Sequence, residues 1–106
     1  MNKAENICAY EVLNPWSEID PVSLQAPATR LNTLEGKKIG LFCNFKRSAR
    51  PILETAASWL QERFPSVTTS FYVPEAPNLP AMESEQRDAF RSWVEAQDGV
   101  ILAVGD

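Results

Sequence analysis

The sequence predicts an α/β fold: an incomplete doubly wound, three-layer sandwich with three parallel strands in the order 2-1-3 and two helices. Three observations carry this. Two short runs, Lys38–Cys43 and Val100–Val104, are apolar without alternation, as in strands covered on both faces. Between them lie a helical-period stretch, an alternating strand and a second helical stretch. The connections are short, so alternating strands and helices imply a parallel sheet with right-handed crossovers.

The chain divides into a lead-in, residues 1–35, and a β-α-β-α-β domain, residues 36–106. Ile7 to Leu13 has the composition of a short strand. Pro15, Pro21 and Pro27 then forbid long regular structure as far as Ala28. The lead-in is expected to lie extended over the core, with Trp16, Ile19, Val22 and Leu24 as anchors or as a dimer contact. Leu34-Glu35-Gly36 turns the chain into the strand Lys38–Cys43.

A helix is expected from about Arg50 or Pro51 to Phe64, because proline suits a first helical turn and Pro65 ends the run. Ile52, Ala56, Leu60 and Phe64 form its apolar stripe, with Leu53 and Ala57 beside it. Val67, Thr69, Phe71 and Val73 alternate with Thr68, Ser70 and Tyr72, which is a β-branched pattern suited to an edge strand. Pro74 to Pro80 is a proline-stiffened connection.

The second helix is expected from Glu83 to Gln97. Ala89, Phe90, Trp93 and Val94 face inward, and Glu83 and Glu85 favour the N-terminal dipole. Asp98-Gly99 turns into the last strand. The alternating strand goes to the edge and the apolar strands inside, which gives the first half of a Rossmann- or flavodoxin-like sheet. Val100–Val104 would be a bare apolar edge unless a second half, a partner or a swapped strand covers it.

Composition removes several function classes. With 106 residues, 44 % hydrophobic and 23 % charged, the chain is globular in character and one domain at most. A formal charge of -4 argues against general nucleic-acid binding. No apolar run approaches a membrane span, and Met1 to Asn6 lacks a secretory signal, so the expected location is cytoplasmic. The chain has no histidine, which excludes a Ser-His-Asp triad and any His-ligated metal. Cys8 and Cys43 form no CxxC motif and are expected as reduced thiols; no metal and no cofactor are implied.

In order 2-1-3, ligands belong between the carboxyl ends of strands 1 and 3. The loops there carry Cys43, Asn44, Phe45 and Lys46, and Gly105 and Asp106. From Gly36 to Leu53 the sequence has Lys37, Lys38, Lys46, Arg47 and Arg50 and no acidic residue. Lys46, Arg47 and Arg50, at a helix N-terminus, read either as a pocket for phosphate or carboxylate or as a solvated charge run. Cys43 reads either as a reactive thiolate or as a core cysteine. No GxGxxG or P-loop pattern occurs. Glu75, Glu83, Glu85 and Asp88 read as surface charge, and Trp16, Trp59 and Trp93 as packing.

Several short motifs follow in order: Asn14-Pro15, Leu31-x-x-Leu34-x-Gly36-Lys37, a strand ending in Asn44-x-Lys46, Arg63-Phe64-Pro65, and Asp98 to Asp106 as Asp-Gly-Val-Ile-x-x-Val-Gly-Asp. From about residue 12 to 106 the chain resembles the UGSC family of selenoproteins and their cysteine-containing relatives. The resemblance implies a selenocysteine or cysteine directly after Val-Gly-Asp, followed by Gly-Ser-Cys. It implies thiol- or selenol-based redox or nucleophilic chemistry on a small-molecule or thiol substrate. Asn44 and Lys46 would stabilise the chalcogenolate or bind an anion, and Gly105 and Asp106 would shape the loop. Because UGA encodes selenocysteine, a UGA read as stop would end the product after Asp106. On this reading the chain has no catalytic residue of its own and is inactive as given.

Two other readings stay open. One is a small anion- or nucleotide-binding module built on Lys46, Arg47 and Arg50. The other is an interaction subunit, such as a homodimer through the exposed last strand.

Overall fold

The structure, a computed structural model, describes residues 9–105. Its elements are β1 (Lys38–Cys43), α1 (Ala49–Arg63), β2 (Thr68–Tyr72), a 3-10 turn (Ala81–Glu83), α2 (Arg87–Glu95) and β3 (Gly99–Ala103). The sheet order is β2-β1-β3 and both pairings are parallel. This is the open α/β arrangement expected from the sequence.

The register explains the three layers. Ile39, Leu41 and Cys43 point to one face, in line with Gly99, Ile101 and Ala103 of β3. There they meet Ala49, Leu53, Ala57 and Leu60 of α1, and Leu41 and Leu53 are fully buried. The opposite face carries Gly40 and Phe42 beneath α2. Phe42, Tyr72, Phe90 and Trp93 stack or meet edge-on with centroids 5.1–6.2 Å apart. The indole of Trp93 donates to Ser70 Oγ at 2.8 Å. Position 40 is glycine because a Cβ there would lie 2.7 Å from the Trp93 ring.

Two turns frame the sheet. Gly36 has φ +69°, within a Leu34–Lys37 turn closed by a 3.1 Å hydrogen bond, a geometry that favours glycine. At the other end of β1's neighbour, Asp98 is tied to Lys38 twice. Its backbone N–H donates to the Lys38 carbonyl at 2.7 Å, and its carboxylate accepts the Lys38 N–H at 2.8 Å.

Several expectations are corrected. The buried stripe of α1 runs through Ala49, Leu53, Ala57 and Leu60, and Ile52 is 48 % exposed. The two stripes share Leu60. The helix is turned so that small Ala49 and Ala57 let it approach the sheet closely. Trp59 is also exposed, with the Arg63 guanidinium 4.5 Å from its ring centroid.

The expected single helix from Glu83 to Gln97 is interrupted. Ser84 Oγ donates to the Ala81 carbonyl at 2.8 Å and accepts the Gln86 N–H at 3.1 Å. Such local bonding competes with the helical ladder. Asp88, not Glu83 or Glu85, therefore occupies the first turn of α2, and Ala89 is exposed.

The lead-in does not pack over the core. Trp16, Ile19, Val22 and Leu24 are 79–100 % exposed, and residues 9–13 form no strand. The prolines keep this segment extended but give it no partner for its backbone. Ile7, Cys8 and Asp106 lie outside the described residues.

β3 is not enclosed. It pairs only with β1, and Val100, Ile101 and Leu102 are all exposed, Leu102 to 59 %. An apolar hollow of about 270 Å³ lined by Leu31, Leu34, Leu60 and Ile101 lies alongside.

Candidate functional site

Parallel strands end together, so β1 and β3 deliver Asn44 and Val104 to one edge of the sheet. Asn44 joins the two. Its backbone N–H donates to the Ala103 carbonyl at 3.0 Å, and its side-chain Nδ2 donates to the Val104 carbonyl at 2.6 Å. Its Oδ1 accepts the Lys46 N–H at 3.1 Å. Both ends of one carboxamide are thus used on backbone, shaping the loop after β1 and holding the segment that leaves β3. Asn44 is placed to position, while an aspartate could accept but not donate.

The basic residues do not converge. Lys37 and Lys38 lie at the opposite end of β1 from Lys46 and Arg47, which are exposed in the turn before α1. Arg50 donates from Nε to Glu54 at 3.0 Å, and its guanidinium sits 4.4 Å from the Phe71 ring centroid. It therefore lies over β2, on the far side of α1 from β3. Lys46 remains at the carboxyl edge next to Asn44. Gly105 is exposed there, with nothing near the position a side chain would take.

Cys43 is 4 % exposed, within the core between β1 and α1. It is a free thiol whose Sγ lies 3.5 Å from the Asn44 carbonyl. No charged side chain joins that core, since none of the described polar or charged residues is buried. Among the described residues, no three His, Cys, Asp or Glu side chains are grouped to hold a metal ion. None of the described helices is long and apolar enough to cross a membrane.

A further feature is not evident from residue types alone. The Pro74–Ala81 connection folds beside the loop after β1 and leaves two adjoining clefts. One, of about 310 Å³, is lined by Phe42, Phe45, Pro74, Leu79 and Pro80; the other, of about 330 Å³, by Lys46. Asn44, Phe45, Pro77 and Asn78 line both. The signal available in the sequence was position: this connection follows a parallel strand and so must emerge at the same carboxyl edge.

The chain matches the family model described as the UGSC family over residues 11–106, nearly its whole length, and it belongs to that family. No curated protein and no solved structure matches it.

Proposed function

We propose that this member of the UGSC family is the N-terminal part of a thiol- or selenol-based protein whose reactive residue follows Asp106. In this reading residues 36–106 position the reactive loop and do not themselves react. The observation that carries it is the Asn44 bridge: the residue ending the central strand holds the backbone of Val104 by its side chain. A loop beginning there starts from a fixed point, which is what preorganised chemistry needs.

The open flank of β3 supports the same reading. Arg50 lies on the β2 flank of α1, so at about 100° per residue Ile52 and Trp59 fall toward β3. With Val100, Ile101 and Leu102 they make an apolar margin that a continuing sheet and its helix would cover. A partner's strand would fill the same margin, and this favours the interaction-subunit reading as the second choice.

The chemistry follows from exchange at sulfur or selenium. A chalcogenolate attacks one sulfur of a disulfide, forming a mixed disulfide or selenenylsulfide and expelling a thiolate. The resolving cysteine then attacks the chalcogen, expels the second thiolate and closes an internal bond. Two electrons pass from the protein to the substrate.

The test is a reduced chain extended through the reactive and resolving positions, with cysteine at the first. Mixed with hydroxyethyl disulfide, it should lose two hydrogens by intact mass and release two equivalents of small thiol. The chain ending at Asp106 should form no internal bond of this kind. An extended chain whose mass stays unchanged contradicts the proposal.

A further inference from the structure

We infer that the twin cleft between the loop after β1 and the Pro74–Ala81 connection binds a small molecule carrying one oxyanionic group, carboxylate or phosphate, on a planar apolar body. The inference rests on the carboxyl edge being the working face, and names the class of substrate that face would receive.

Size comes first. Each cleft is about 310–330 Å³, at the lower end of the range for small-molecule sites. They meet across Asn44, Phe45, Pro77 and Asn78, so one ligand can span both. The first cleft is walled by flat apolar groups. Phe45 is half-exposed, although an aromatic side chain in a short loop gains nothing from water. Pro74, Pro77 and Pro80 present rigid rings and limit the entropy lost on binding.

Charge sorts the ligand's orientation. Lys46 is the charged residue lining the second cleft, and no carboxylate lines either one. Asn78 adds a carboxamide with two donors. Asn44 is not counted as a ligand, because its own amide is engaged on Val104 and Lys46 backbone. On the other side of Pro74 a separate hollow carries Glu75 and Glu85, which turns an anion away from that end. The anionic group therefore belongs at Lys46 and Asn78, and the planar body over Phe45 and the prolines.

The test is an amide-resolved NMR titration of the 106-residue chain with phenyl phosphate and with benzoate. Shifts should concentrate at Asn44–Lys46 and Ala76–Leu79, with Kd on the order of 1 mM for ligands of this size. Whichever of the two binds tighter identifies the oxyanion. Inorganic phosphate and benzyl alcohol, each with half the recognised chemistry, should bind less tightly than either. Lys46→Ala should weaken binding about three- to tenfold with an otherwise native spectrum, and Lys46→Arg should restore it. Arg50→Ala should change nothing. Shifts that avoid both loops, benzyl alcohol binding as tightly as phenyl phosphate, or an unaffected Lys46→Ala would each overturn the inference. This chain carries no residue beyond Asp106, so failure here is separate from failure of the disulfide exchange test.

Discussion

Leu53→Ala is expected to cost about 2–5 kcal/mol of folding stability, whereas Ile52→Ala next to it should cost less than about 1.5 kcal/mol. Leu53 is fully buried against β1, and Ile52 is half-exposed. Truncating Leu53 removes apolar contact and leaves a cavity between α1 and the sheet that rigid strands cannot close. Total stability of a small domain is about 5–15 kcal/mol, so the loss is a large share of it. Urea unfolding followed by circular dichroism gives both values. The comparison matters more than either number, because residue periodicity alone puts Ile52 on the inner stripe and Leu53 beside it. If Ile52→Ala proved the costlier change, the helix would be rotated from the position described here.

Asn44→Asp is the second large effect, expected at about 1–3 kcal/mol. Aspartate retains the acceptor for the Lys46 N–H but cannot donate to the Val104 carbonyl, and it sets a negative charge against that oxygen. Asn44→Ala loses both bonds without the repulsion and should cost less than Asn44→Asp. Hydrogen exchange distinguishes this from general destabilisation. The amide of Asn44, bonded to the end of β3, should lose protection before those at the centre of β1. Equal stability of Asn44→Asp and the parent would show that the carboxamide does not hold Val104.

Strand positions were legible because β1 and β2 announce themselves in different ways. Lys38–Cys43 is continuous and apolar, as a central strand must be, and Thr68–Tyr72 alternates, as an edge strand does. That difference also sets the order β2-β1-β3. The buried face of α1 was not legible, since apolar residues occupy enough of its circumference to draw two stripes. Alanine decided between them, and the closeness of an approach is a tertiary property. The break at Ser84 was hidden for a similar reason: a serine in a polar stretch looks helical until its hydroxyl turns back to Ala81.

The lead-in failed as an anchor because apolar residues between prolines show a capacity for burial without showing what they bury against. For the site, topology brought Asn44 and Lys46 to the edge, but not the roles they take there. Asn44 spends its amide on backbone and Arg50 turns to Glu54 and Phe71. The Pro74–Ala81 wall was present in the sequence as a connection and became a surface only when folded beside Phe45.

The central claim is that a reactive chalcogen follows Asp106. The most direct measurement is the codon after that of Asp106, with the reading frame beyond it. The account predicts UGA or a cysteine codon, then Gly-Ser-Cys and further α/β pattern in the same frame. A UAA or UAG codon at that position, or an in-frame continuation with no cysteine in the first few residues, would contradict it.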